Sequence, residues 1–122
     1  MKKMNCVQKG HRGEDLAVDF LLAKGYRIVT RNWRIKAGEI DIIAQDGDTL
    51  VFCEVKTRSS NRCGTGAEAV DCRKQRKIVQ VASLYLQRYR LVNQRCRFDV
   101  IEILQPEQGQ TQIQHIINAF GG

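Results

Sequence analysis

Between His11 and Lys24 the apolar residues Leu16, Ala17, Val18, Phe20, Leu21 and Leu22 recur at the spacing of one helix face. Glu14 and Asp15 fall where a first turn favours acids, and Gly25 is placed to end the helix. Glu14 shares a stripe with Ala17, Val18 and Leu21, so its carboxylate turns at least partly toward the protein. Tyr26 to Arg31 and Trp33 to Ile35 carry the β-branched and aromatic content of a strand, and Glu39 to Ala44 alternates as a second. Gln45-Asp46-Gly47-Asp48 reads as a hairpin turn leading into a third strand, Thr49 to Thr57. The turn-rich stretch Thr57 to Gly66 predicts a surface loop. A second helix is expected over Ala67 to Arg90, with Val70, Ile78, Val81, Ala82, Tyr85 and Leu86 facing inward. Phe98 to Leu104 reads as a further strand, Pro106 to Gln110 as a loop and Ile113 to Phe120 as a last strand. The order α-β-β-β-α-β-β predicts an α/β (α+β) fold around a central mixed sheet. Its 122 residues suit one domain spanning the whole chain.

Composition narrows the partner more than the fold. Twenty Lys and Arg against thirteen Asp and Glu leave a net charge of +7, which favours a polyanion through counterion release. Nucleic acid is the first candidate, and Arg73, Lys74, Arg76 and Lys77 concentrate basic charge in the first half of the second helix. That run also suits an ordinary solvated helix face. No apolar run approaches the roughly 18 residues a spanning helix needs, and Met1-Lys2-Lys3 leads into no apolar signal core, so a cytoplasmic protein is expected. Five cysteines without a CxxC pair predict reduced thiols, and two distant histidines offer no zinc-type spacing.

The hairpin carries the candidate chemistry. Period-two alternation puts Glu39, Asp41 and Ile43 on one face of the second strand and Ile40, Ile42 and Ala44 on the other. On the third strand it groups Leu50, Phe52, Glu54 and Lys56 against Val51, Cys53, Val55 and Thr57. A two-residue loop at Gly47-Asp48 places Asp41 opposite Glu54, whereas a loop at Asp46-Gly47 pairs Glu39 with Glu54 and leaves Asp41 one diagonal away. An odd loop without a bulge sends Asp41 and Glu54 to opposite faces. Carboxylates within about 5 Å repel unless a positive charge lies between them, and hard oxygen ligands suit Mg²⁺ or Mn²⁺. Lys56 is placed to offset charge developing on a phosphate. The plainer readings are a solvated strand face for Glu54 and Lys56, a helix-start acid for Glu14 and a packing role for Trp33.

Gly38-Glu39-Ile40-Asp41-Ile42-Ile43 followed by Val51-Phe52-Cys53-Glu54-Val55-Lys56-Thr57-Arg58 resembles the PD-(D/E)xK phosphodiesterase superfamily. With Gly10-x-x-Gly13-Glu14, Gly25-Tyr26, Arg31-Asn32, Lys74-Gln75, Arg97-Phe98-Asp99 and Asn118-Ala119-Phe120, the chain resembles the bacterial YraN-like family, related to archaeal Holliday-junction resolvases. Ile40 rather than Pro precedes Asp41, as is usual in this branch. The resemblance implies a restriction-endonuclease-like core and a metal-dependent DNA endonuclease, with branched DNA among its substrates. It implies Asp41, Glu54, the Val55 main chain and Glu14 around Mg²⁺ (or Mn²⁺), Lys56 as the catalytic lysine and Gln75 as a supporting polar residue. Glu39 belongs to the motif without an assigned role. Arg58, Arg73, Lys74, Arg76 and Lys77 are the expected nucleic-acid contacts. A resolvase-like enzyme is expected to form a homodimer, with the apolar residues of the second strand as candidates for the contact. The rival expectation is a non-catalytic nucleic-acid-binding module that retains a nuclease fold.

Overall fold

The computed structural model describes residues 6–59, 70–106 and 108–121, with side chains described from residue 13 onward. Its elements run α1 (Cys6–Ala23), β1 (Arg27–Ile35), β2 (Gly38–Asp46), β3 (Thr49–Arg58), α2 (Cys72–Arg88), β4 (Arg95–Leu104) and β5 (Gln112–Phe120). The sheet has the order β1-β2-β3-β4-β5, antiparallel except for the parallel β3–β4 pair. That parallel pair requires a crossover connection, and α2 lies within it. The expected α+β layout is therefore present.

Each helix covers one face. Ala17, Leu21 and Tyr26 pack with Ile42, Ala44, Val51, Cys53, Ile101 and Ile103 on the α1 side. Ile78, Val81, Ala82 and Tyr85 of α2 pack with Ile40, Ile43, Leu50, Phe52, Phe98, Val100 and Phe120 on the other. β3 and β4 are buried on both sides, hence their near-continuous apolar runs. Trp33 packs edge-on against Tyr85, with ring centroids 5.0 Å apart, so its role is packing.

Several boundaries differ from the sequence reading for identifiable reasons. α1 begins at Cys6, because Gly10 lowers helix propensity without breaking the helix. Glu14 and Asp15 therefore lie inside the helix rather than in its first turn, which removes the helix-start account of Glu14. The helix ends as expected at Gly25 (φ +90°), where Gly25 and Tyr26 N–H donate to the Leu22 and Leu21 carbonyls in a Schellman arrangement. α2 starts at Cys72, later than expected, because the Asp71 carboxylate caps it by accepting from Lys74 N–H at 2.8 Å. Val70 is buried just ahead of the helix, and the expected start at Ala67 lies outside the described residues, as does most of the expected loop to Gly66. β2 is an interior strand, so its apolar residues cannot form an exposed contact edge; β1 and β5 are the edges.

A polar hub ties the sheet together on the α1 side, where Asp99 lies opposite Cys53, one residue from Glu54 but on the other face of the sheet. Asp99, fully buried, accepts from Arg97 Nε at 3.1 Å, Asn118 N–H at 2.9 Å and His115 Nε2 at 2.7 Å. Arg97 also donates to Asp46 and to the Tyr26 hydroxyl, which links β4 to β2 and to the start of β1. Burial alone would raise the Asp99 carboxyl, but the bonds from His115, Arg97 and Asn118 outweigh it and hold the group below its ordinary value. The Arg97-Phe98-Asp99 motif is accounted for by this scaffold.

Candidate active site

The hairpin loop is Gly47-Asp48, with Asp46 opposite Thr49. The β2–β3 register then continues to Ile42 opposite Cys53, which aims Asp41 toward Glu54. The strict alternation expected for β2 fails at this point: Ile40 joins Ile43 in the α2-side core, while Ile42 and Ala44 lie on the α1 side. Asn32 and Asp41 sit between the paired positions Trp33–Ile40 and Arg31–Ile42, and Asn32 adopts φ +52°. Asn tolerates that left-handed conformation better than most residues. The β1–β2 ribbon is thus turned over at Asp41. The Val55 N–H, just past the stretch of β3 that pairs with β2, is donated to Asp41 Oδ2 at 2.9 Å.

Asp41 and Glu54 consequently meet in a part of the sheet with little water. Glu54 is 5% exposed. Burial first, and the Asp41 charge second, push the Glu54 carboxyl up to about 7, while Lys74 and Lys56 oppose the rise. Burial also raises Asp41, against the hydrogen bond from Val55 and a side-chain bond with Glu54. The two carboxyl groups therefore titrate as a proton-sharing pair. Lys56 Nζ stands 3.7 Å and Lys74 Nζ 3.5 Å from the same atom, Glu54 Oε1. Lys56 arrives on the same strand face two residues beyond Glu54, whereas Lys74 reaches in from the first turn of α2.

The other expected residues take varied positions. Glu14 Oε2 lies 4.0 Å from Arg31 Nη2, and Asp15 holds the same guanidinium at 2.7 Å. Gly13 lets α1 approach the end of β3 closely, because a Cβ there would stand 2.1 Å from Thr57 Oγ1. Glu14 thereby comes to the end of the sheet that carries Lys56. Among the described residues, however, no three His, Cys, Asp or Glu side chains are grouped to hold a metal ion, so Glu14 does not complete the Asp41–Glu54 pair. The Gln75 side-chain amide donates to the Val70 carbonyl at 2.7 Å and so fixes the entry to α2 beside Lys74. Glu39 accepts from Arg34 Nε and Nη2 at 3.1 and 3.0 Å. Arg58 stands 3.7 Å from buried Glu102, while Arg73, Arg76 and Lys77 are exposed on α2. Gly38, Glu39, Lys74, Lys77 and Ile78 line a cleft of about 160 Å³, and of these Lys74 also reaches Glu54.

The sequence reading placed Lys74 among nucleic-acid contacts and missed its approach to Glu54. The sign available was Asp71, whose position as a helix cap sets which residues of α2 occupy the first turn. Glu102 was also missed. It is buried beside the Lys56–Arg58 strand, and its Oε2 accepts no hydrogen bond among the described residues.

A five-stranded mixed sheet between two helices, with half-buried Asp41 against buried Glu54 where β2 turns over beside β3, defines an α+β protein with a polar site built on its sheet. The chain belongs to the family described as uncharacterised protein family UPF0102, which it matches over residues 13–103. It is 51% identical over 111 residues to a UPF0102 protein of Symbiobacterium thermophilum, covering 91% of this chain and 94% of the relative. A UPF0102 protein of Clostridioides difficile is 47% identical over 117 residues, covering 96% of this chain and all of the relative. The fold is also similar to that of Pyrococcus furiosus SfsA, solved in complex with Ca²⁺, at a TM-score of 0.39 and 12% identity. That match covers 93% of this chain, which spans 64% of the SfsA chain. Among the described residues, no helix is long and apolar enough to cross a membrane.

Proposed function

We propose that this protein is a metal-dependent nuclease that hydrolyses phosphodiester bonds of DNA, including branched DNA. The observation that carries the reading is the Asp41–Glu54 pair: two carboxyls held against one another, Asp41 half-buried and Glu54 buried and raised to about 7, are costly unless a cation joins them. Their chemistry fits Mg²⁺ or Mn²⁺, since both donors are hard oxygens. Asp41, Glu54 and the Val55 main chain would hold the ion. Such an ion supplies a more acidic bound water and polarises a phosphoryl oxygen.

This chain's own residues account for the remaining roles. The Val55 N–H fixes the orientation of Asp41. Lys56, which is 34% exposed at its side chain, presents an ammonium beside the pair, where it stabilises the charge that builds on a phosphate as its bond to the leaving oxygen breaks. Gln75 holds the start of α2 against Val70 and so sets the distance from the basic helix face to the acids. Arg73, Arg76 and Lys77 offer exposed cations to the DNA backbone, which positions it without reading sequence.

The test is cleavage of labelled single-stranded, duplex, flap and four-way-junction DNA in Mg²⁺, Mn²⁺ or chelator, with Lys56→Ala and Asp41→Asn purified in parallel. Metal-dependent cutting that both substitutions abolish is the expected result. DNA binding without cutting in any metal, unchanged by Asp41→Asn, overturns it in favour of a non-catalytic binding module.

A further inference from the structure

We infer that Lys74 is shared between two ligands: it occupies the cation position at Glu54 when no divalent ion is present and moves to a backbone phosphate when one binds. The inference rests on reading Asp41 and Glu54 as the metal site, and adds that metal and DNA binding reinforce one another through this side chain.

Charge balance is the starting point. The acidic pair can carry two negative charges, and the ammonium groups of Lys56 and Lys74 both approach one oxygen of it, Glu54 Oε1. A divalent ion at the same carboxylates makes both lysines superfluous there and repels them at short range. Lys56 is anchored two residues from Glu54 on the same strand face and stays beside the site wherever its head points. Lys74 is differently placed. Its backbone is held by the Asp71 cap, but its side chain is 43% exposed and has four flexible carbons with which to leave.

It also has a destination. Lys74 lines the cleft with Lys77, which lies three residues on along the same helix face, and with Glu39, whose charge Arg34 offsets; Lys74 is the lining residue that also reaches Glu54. A phosphate seated there meets Lys77 already exposed and Lys74 only after Lys74 has left Glu54. Drawing Lys74 to the phosphate bares Glu54 for the metal, and metal binding frees Lys74 for the phosphate. By linkage the two effects are equal in size.

The experiment is calorimetric titration of Ca²⁺ and Mn²⁺ into the full chain, alone and with a short DNA duplex whose integrity is checked by gel. The variants are Lys74→Met, Lys74→Gln, Lys74→Arg, Arg88→Met and Asp41→Asn. Without DNA, Lys74→Met and Lys74→Gln should each bind the metal about tenfold more tightly than the parent, within the usual range of coupling between sites. Lys74→Arg, which keeps the charge, should not tighten binding. Arg88→Met removes the same charge from the last turn of α2 and should leave metal affinity within about twofold, as a remote screened charge would. DNA should strengthen metal binding to the parent protein and do so less in Lys74→Met. Equal or weaker metal binding by Lys74→Met and Lys74→Gln overturns the inference while leaving the metal site standing. If the parent protein binds neither metal, or Asp41→Asn binds as well as the parent, the metal-site reading falls and the inference falls with it.

Discussion

Replacing Glu54 by Gln should make the protein more stable at alkaline pH, an unusual outcome for removing a buried charged residue that faces two lysines. The Glu54 carboxyl titrates near 4.5 when unperturbed and is raised to about 7 in the folded protein, by burial first and by Asp41 second. Between those values the native state holds more protons than the unfolded chain, so stability falls as pH rises through this window and the full cost is present above it. At about 1.4 kcal/mol per pH unit, ionised Glu54 costs the fold about 3 kcal/mol at pH 8.5 relative to pH 4.5. Gln has the same shape without the charge, and Lys56 and Lys74, 34% and 43% exposed, can turn to solvent. The assay is urea unfolding in chelator at several pH values, followed by the fluorescence of Trp33, the single tryptophan, which packs on Tyr85. The quantity to read is the stability of Glu54→Gln minus that of the parent, since groups outside the Asp41–Glu54 pair cancel in the difference and what remains belongs to the pair. It should grow by about 3 kcal/mol from pH 4.5 to 8.5. A divalent ion at saturating concentration should shrink it by stabilising only the parent. A difference that stays flat with pH, or falls as pH rises, would refute the placement of Glu54 against Asp41.

Three further perturbations address the scaffold. Asp99→Ala should lower stability by about 3–5 kcal/mol, measured by urea unfolding at pH 7, because it strips Arg97 and His115 of a fully buried partner. Asp99 has the opposite sign to Glu54: its folded value is lowered, so its stabilisation is present above the unfolded value and is lost as pH falls through the folded one, and the parent should lose its advantage over Asp99→Ala in acid. Gly13→Ala should destabilise by about 1–3 kcal/mol through overpacking on Thr57 Oγ1. In a Thr57→Ala background the same change should be neutral or stabilising in thermal melts, as Ala usually is in a helix. Asn32→Val should cost about 1–2 kcal/mol at a left-handed position and Asn32→Gly should be nearly neutral; equal losses would show that the Asn side chain, not the backbone, is what matters there.

Much of the fold was legible because local patterns and tertiary packing agree. The helical stripe through Ala17 and Leu21, the Gly25 stop, the two-residue turn at Gly47-Asp48 and the order of elements all follow from spacing and turn chemistry. The register of that turn also brought Asp41 toward Glu54 and placed Lys56 beside them, since cross-strand neighbours are fixed once the loop length is known. What spacing could not show is the reversal of β2 at Asp41. It depends on Asn32 of the neighbouring strand and on the Val55 N–H of another, neither of which is near in sequence. Likewise Lys74 and Glu54 are 20 residues apart on different elements, and only the docking of α2 on the sheet makes them partners. The same is true of Asp99 and His115, which look like ordinary strand residues until β4 and β5 pair. Sequence alone therefore determined the elements and the residue types of the candidate site, because periodicity and turn geometry are local. Tertiary structure decided which charges face one another and how dry their surroundings are, because burial and electrostatic pairing depend on distances that no local pattern sets.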